Sequence, residues 1–437
     1  MKEDPVYKLT SNKLLTRNVI LNFLAQGLPL IIAIFTIPWI IKGMGVDKFS
    51  ILTLIWIIIG YSNLFDFGLG RALTQLISKK LAQNDTEDIP DLIWTTLIVV
   101  IIFGILATII IWILTPTIIT KLLKIPEALV IESEYSLYAL ALTLPLLLLI
   151  VNIKGILEAY QEFIYVSLLR IPVVIFNYIG PLFVLPFSNN LYHIVILLVA
   201  GRIITFFLHV WACSKVVNNL TFKVTFNKTF LKPLFSFGGW ITVSNVIGPL
   251  TSYMDRFFIA YFLSALIVAY YTTPFDVISR LSIIPLALMG VMFPAFSAEY
   301  QMNKARTRKL FIKTLTYTVL LLLFPVILIF IFAKPGLTIW LDSDFADKSY
   351  LITQILAIGI LIEGINQSSI ALIQGTGRSD VTGKIILAVL PVYLVILYFF
   401  IELHGLIGAA FAWLIRAVLD CVLLNFFAFK LLKPDNN

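Results

Sequence analysis

The sequence predicts an all-α, polytopic membrane protein of about twelve transmembrane helices arranged as two six-helix lobes. Three observations carry that reading. First, 60% of the residues are hydrophobic and only 13% are charged, against about a quarter charged in soluble domains. One globular core cannot hide that much apolar surface from water. A bilayer can, provided each segment closes its own backbone hydrogen bonds, as a helix does. Second, apolar runs of about 20 residues, enough to cross a ~30 Å hydrocarbon core, recur along the chain. Third, the second half repeats the layout of the first.

The runs of the first half lie at 19–41, 49–70, 91–115, 133–152, 169–187 and 191–213. The first follows a polar, mixed-charge start (MKEDPVYKLTSNKLLTRN) without a cleavable-signal pattern. The second ends in DFGLGR (66–71), and the segment 116–132 separates the third from the fourth. Only the turn FSNNL (187–191) divides the fifth from the sixth. The second half carries runs at 235–263, 266–296, 313–333, 350–372, 385–402 and 405–430. Prolines concentrate in its first two runs (Pro249, Pro274, Pro285, Pro294), and each removes a helical hydrogen bond and bends its helix. KPGLTIWLDSDFADKS (334–349) separates the ninth run from the tenth, and the turn GTGR (375–378) leads from the tenth towards the eleventh. The expected division is an N-terminal lobe at 1–213, a cytoplasmic linker at 214–234 and a C-terminal lobe at 235–437.

The loop cations set the orientation. With the N-terminus inside, 22 of the 32 Lys and Arg residues fall on inner segments and 6 on outer loops; the other four lie inside the runs. That excess places both termini in the cytoplasm, and it accounts for the formal charge of +8 without nucleic acid. A shift of about 214–219 residues lays KGILEAYQEF (154–163) on SIALIQGTGRS (369–379), and Ile171-Pro172-Val173 on Leu390-Pro391-Val392. It also lays Arg202 on Arg416. Six spans return the chain to its starting face, so the repeats share one orientation. A binding site is then expected between them near the midplane.

Charges inside the runs are the candidate functional residues, because a mid-membrane charge costs roughly 2.5–3.5 kcal/mol or more. The arginines are Arg202, Arg256, Arg280 and Arg416; the acids are Asp66, Asp255, Asp276, Glu363 and Asp420. Asp276 and Arg280 are spaced i, i+4, as are Arg416 and Asp420, so each couple is able to meet on one helix face. For both, a structural ion pair and a functional role stay open. Asp255 and Arg256 diverge by about 100° on a helix, with Arg256 the one expected to face a cavity. Arg202 and Glu363 have no local partner and need water, a distant residue or a ligand. Asp66 stands before Arg71, where a helix cap is the alternative to a function. Four arginines against five acids do not make a cationic chamber; Lys42, Arg71, Lys154 and Arg170 at the span ends are needed for a net positive cavity.

Soluble catalysis finds no support. The chain carries no phosphate-binding lysine loop for ATP, no metal-ligand cluster and no Ser/His/Asp constellation, and GTGR alone is a weak phosphate cradle. No cofactor or metal is implied. Cys213 and Cys421 show neither disulfide nor metal spacing. A membrane-embedded glycosyltransferase or polymerase needs acids on a large outer loop; Asp342, Asp344 and Asp347 on a short one read as a solvated turn.

Several segments resemble the polysaccharide flippases of the MOP exporter superfamily, the Wzx-type O-antigen or repeat-unit translocases. They are FGGWITVSNVIGPLTSYMDRFFIAYFL (237–263), VAYYTTPFDVISRLSIIPLALMGVMFPAFSAEY (268–300), LIQGTGRSD (372–380), GLIGAAFAWLIRAVLD (405–420) and DFGLGRALTQLISKKLAQND (66–85). The resemblance implies a V-shaped pair of six-helix lobes, related to the MATE transporters, working by alternating access in the cytoplasmic (inner) membrane. It implies a transporter rather than an enzyme, moving undecaprenyl-diphosphate-linked oligosaccharide from the inner to the outer leaflet. A polysaccharide polymerase and a chain-length regulator are the implied partners. On this reading Arg202, Arg256, Arg280 and Arg416 bind substrate, while Glu363, Asp66 and Asp276 are the candidates to couple an ion. Asp255 and Asp420 serve as structural ion-pair acids. A multidrug or cation antiporter of the same superfamily is the alternative; it favours acidic and aromatic lining, against which the deep arginines argue.

Overall fold

A computed structural model of the protein describes residues 11–60, 65–123, 125–217, 224–263 and 267–433. Of the loop cations counted above, Lys2, Lys8, Lys124 and Lys223 lie outside this range. The chain divides into two compact units, Met1–Gly239 and Trp240–Asn437. The boundary falls just inside the expected seventh run.

The first unit contains α1 (Asn12–Met44), α2 (Val46–Gly60), α3 (Leu69–Ala82) and α4 (Ile89–Thr117). It continues with α5 (Glu127–Ala141), α6 (Leu144–Ala159), α7 (Phe163–Val174), the short α8 (Gly180–Val184) and α9 (Leu191–Val216). Two π-helical turns follow prolines: Ile118–Leu122 after Pro116, and Ile175–Ile179 after Pro172. A proline removes one i→i−4 bond, and the wider turn absorbs the misfit. Helices α5 and α6 are bent by 40° at their junction, the geometry of a broken span or a re-entrant loop.

α10 (Leu231–Phe262) crosses from the first unit into the second, which holds α11 (Ala269–Ile278), α12 (Ile283–Met302), α13 (Lys304–Trp340), α14 (Ser343–Gly375) and α15 (Ser379–Leu431). A 3-10 segment, Ser279–Ser282, joins α11 to α12. α12 is buried on every side from Val291 to Glu299. α13 is the reverse: Leu320, Phe324 and Ile331 stand exposed along its length. In the first unit, Leu24, Ile34, Phe35 and Trp39 on α1 and Ile109 and Ile113 on α4 are exposed likewise. Surfaces so apolar are matched to lipid rather than to water.

The expected runs fall on these helices. α15 contains the last two, which part at Gly405, where φ is +58° and ψ is −135°. Among the described residues, eight helices are long and apolar enough to cross a membrane, or nine with the bent pair. The chain is a multi-pass membrane protein, and this layout is compatible with twelve spans.

Candidate functional site

In the second unit the charged residues of four helices converge. The approach of α14 to α15 is set by Gly359: a Cβ there would lie 2.1 Å from the Trp413 ring. One turn further along α14 stands Glu363, and three residues further along α15 stands Arg416. The close crossing therefore brings them together, with Arg416 Nη2 3.8 Å from Glu363 Oε2. The same guanidinium donates to Asp420 Oδ2 at 3.3 Å and lies over the rings of Tyr393 and Trp413 at 5.7 and 5.6 Å. The α14 face also presents Asn366 and Gln367, whose amides donate to the Glu363 carboxylate at 3.4 Å. Asn366 also donates to the Ala417 carbonyl at 3.0 Å, tying α14 to α15.

Asp255 on α10 is fully buried. It accepts the Tyr271 hydroxyl from α11 and, at 2.8 Å, the backbone N–H of Arg256. It is thus held by hydrogen bonds as well as by the nearby positive charges of Arg256 and Arg416. Arg256 turns away, as neighbouring helix positions must. Its Nη2 donates to Asp276 at 2.7 Å and its guanidinium lies over Phe275 at 5.6 Å.

That contact corrects an expectation. Asp276 does not meet Arg280, because α11 ends at Ile278 and Arg280 sits in the 3-10 segment. Tighter winding there spoils the i, i+4 match, and Arg280 is exposed. Glu363 has the distant partner that was one of its expected alternatives, Arg416. The Arg416–Asp420 couple forms as its spacing predicts.

Five buried polar atoms around Arg416 lack a hydrogen-bond partner: Arg416 Nε, Asp420 Oδ1, Tyr393 Oη, Trp413 Nε1 and Asn366 Oδ1. Native interiors leave few such groups, each costing about 1–3 kcal/mol if dry. Their concentration in one place marks a polar centre built for more than packing. Its four acids (Asp255, Asp276, Glu363, Asp420) outnumber its two arginines (Arg256, Arg416), so it is formally anionic.

The first unit differs. Arg202, half-buried on α9, donates to the Thr143 hydroxyl at the α5–α6 break. Thr143 in turn donates to the Leu140 carbonyl at 2.7 Å. Among the described residues Arg202 enters no ion pair. Asp66 is buried and fully engaged: it accepts the Gly70 N–H at 2.9 Å and the Asn152 amide at 2.6 Å, locking the start of α3 to α6. Its capping role is the one this geometry fits. Of the span-end cations, Lys154 is paired with Glu158 at 3.1 Å. Lys42 and Arg71 are exposed, and Arg170 is half-buried.

The acids of segment 334–349 are surface features. Asp342 caps α14 by accepting the Phe345 N–H at 2.8 Å, while Asp344 pairs with Lys348 and Asp347 with Lys334, both at 2.6 Å.

Residues 15–299 match the family described as "Polysaccharide biosynthesis protein". The chain belongs to that family. It is also 30% identical over 416 residues, 94% of its own length and 96% of the relative's, to a putative O-antigen transporter of Shigella flexneri. Among solved structures it resembles an outward-facing multidrug resistance MATE family transporter of the MOP superfamily, with a TM-score of 0.85 and 15% identity over 99% of this chain and 100% of that one. A Vibrio cholerae MATE transporter in a bent form gives 0.82 and 16%, with 98% of each chain covered. At such identities the likeness establishes the fold, a MATE-like one.

Several polar residues of the family member's centre escaped the sequence reading. Asn366 and Gln367 follow Glu363 at i+3 and i+4, a polar stripe on one face of an apolar helix that a face-by-face count would have found. Tyr271, Tyr393 and Thr143 carry no such signal; only the tertiary packing brings them to a charge.

Proposed function

We propose that the protein is a flippase that carries undecaprenyl-diphosphate-linked oligosaccharide repeat units from the inner to the outer leaflet of the cytoplasmic membrane. It works by alternating access, without a catalytic step, and supplies surface polysaccharide synthesis. Family membership and the O-antigen transporter relative support this reading. The observation in the molecule that carries it is Arg202, an intramembrane guanidinium with a hydroxyl but no carboxylate against it. Such a group has charge and donors to spare for a phosphate or an acidic sugar. Arg280, also without an ion-pair partner among the described residues, is the second cation available. Arg256 and Arg416 already face carboxylates and act on substrate only if those are displaced or protonated.

With no ATP site in the sequence, an ion gradient or the membrane potential supplies the drive. Glu363 is the acid best placed to couple it, since Asp66 is fully hydrogen-bonded and Asp276 is exposed beside Arg256. Both termini lie in the cytoplasm, and a polymerase and a chain-length regulator act on the delivered units. Deleting the gene should abolish surface polysaccharide while lipid-linked units accumulate on the inner leaflet. Normal surface polysaccharide, in a strain with no second flippase, overturns the reading. Glu363→Gln should remove the ion dependence of transport; unchanged flipping with unchanged ion dependence excludes Glu363 as the coupling group.

The acid excess of the polar centre around Arg416 favours one other reading, a cation or multidrug antiporter. Restored drug resistance in a sensitive strain, with no effect on polysaccharide, would select it.

A further inference from the structure

A cavity of about 740 Å³ opens in the first unit where α1 begins, α9 ends and the α6–α7 turn passes. Lys13, Arg17 and Lys215 line it, together with Tyr160, Tyr165 and, among the described residues, one acid, Glu162. All three cations are exposed, and none enters an ion pair among the described residues. Lys13 and Arg17 are i, i+4 on the first turns of α1, so they share a face; Lys215 lies in the last turn of α9.

The walls are fixed. Asn18 donates to the Gln161 carbonyl and side-chain oxygen at 3.1 and 3.2 Å, pinning the turn to α1. Ser11 makes no side-chain cap at the start of α1, so the positive end of that helix adds to the field.

The second observation is what leads away from the cavity. Ile204, Phe207 and Trp211 stand exposed along α9 and continue, one turn on, into Lys215. Ile164, Leu168, Ile171 and Ile175 form a matching exposed stripe along α7 and the turn after it. Tyr165 joins the two, its ring 6.0 Å from that of Trp211 in an edge-to-face contact. An aromatic pair at the rim of an apolar stripe, capped by unpaired cations, has the layout of a membrane interface. Chain starts and basic ends put this rim on the cytoplasmic side in the orientation the loop charges predict.

We propose that the cavity is a headgroup site for an anionic phospholipid of the cytoplasmic leaflet. Its phosphate sits among Lys13, Arg17 and Lys215, and its acyl chains lie along the α7 and α9 stripes. A neutral lipid gains nothing from these three charges, so the site discriminates by charge. The volume exceeds what a lone phosphate fills and leaves room for the glycerol. This site is separate from Arg202 and from the polar centre of the second unit, and its test does not depend on transport.

The test uses the full chain in mixed-lipid nanodiscs, with retained lipid counted by native mass spectrometry. The wild-type protein should retain phosphatidylglycerol over phosphatidylcholine, and phosphatidylglycerol should raise its Tm. Changing Lys13, Arg17 and Lys215 together to Gln should weaken that preference roughly a hundredfold, and each alone about fivefold, from the usual contribution of a basic residue at a membrane surface. Should the triple variant fail to fold, the three single variants and the charge-keeping Lys13→Arg/Lys215→Arg pair carry the comparison, with each single variant weakened about fivefold and only the pair keeping the full preference. Equal retention by wild type and Gln variants overturns the proposal. So does a site that ignores phosphatidylglycerol and instead takes farnesyl diphosphate, which would assign the cavity to the substrate's headgroup.

Discussion

The repeat read from the sequence lays Arg202 on Arg416, yet their surroundings make opposite demands. Arg416 lies between Glu363 and Asp420, two carboxylates that are themselves largely buried. Removing it leaves them facing each other without a counter-charge, and breaking a buried pair in this way typically costs about 3–5 kcal/mol. Arg416→Ala should therefore lower the Tm sharply, as followed by thermal denaturation in detergent. Arg202 has no carboxylate to strand. Its replacement relieves a half-buried charge held by one hydroxyl, so Arg202→Ala should fold with a Tm close to wild type but fail to restore surface polysaccharide in the deletion strain. Arg202→Lys keeps the charge while losing the planar fork, and should restore it partly. A fully active Arg202→Ala protein would remove the residue from the substrate path.

At the scale of elements, two glycines set the geometry of the second unit for different reasons. Gly359 is a contact: Ala there drives its methyl into the Trp413 ring, which is itself buried. Overpacking of this kind costs about 1–3 kcal/mol, and separating α14 from α15 also pulls Glu363 from Arg416. Gly359→Ala should lose stability and transport together, and adding Trp413→Leu should recover part of both. Gly405 is a conformation: nothing lies within 4 Å of its missing Cβ, but its φ of +58° and ψ of −135° suit glycine alone. Gly405→Ala should cost about 1–3 kcal/mol of backbone strain, with no rescue from repacking a neighbour. The contrast between rescued and unrescued Tm checks both. These elements also mark what the sequence made legible. The helices were readable because apolar length alone specifies them, and Arg416–Asp420 because one helix turn joins its members. Arg256–Asp276, Asp255–Tyr271 and Glu363–Arg416 bridge different helices, and no local spacing encodes them. The Asp276–Arg280 expectation failed where the α-helical period itself stopped, at Ser279.

At the scale of the whole molecule, the loop charges predict which way the chain sits. If each half has the six spans read from the sequence, both termini belong on the side that carries most of the cations. Lys80, expected on the inner side, is held charged by its neighbours: burial opposes its ammonium, but Asp85 at 2.6 Å and Asp88 at 3.2 Å outweigh that and raise its pKa. Lys48, Lys334 and Lys348, which the sequence puts on the outer side and the structure near the ends of α2, α13 and α14, are each paired with an acid, Glu132, Asp347 and Asp344 respectively. These outer cations therefore add little net charge to the face the positive-inside rule leaves poor in lysine and arginine. In a variant with Cys213 and Cys421 replaced by Ala, single cysteines in place of Lys13, Lys79, Lys309 and Lys433 should resist an impermeant thiol reagent applied to intact cells, while one in place of Lys348 should react. Labelling of Lys13→Cys but not of Lys433→Cys would mean an odd number of spans and would break the two-repeat arrangement; labelling of both, with Lys348→Cys protected, would invert the orientation.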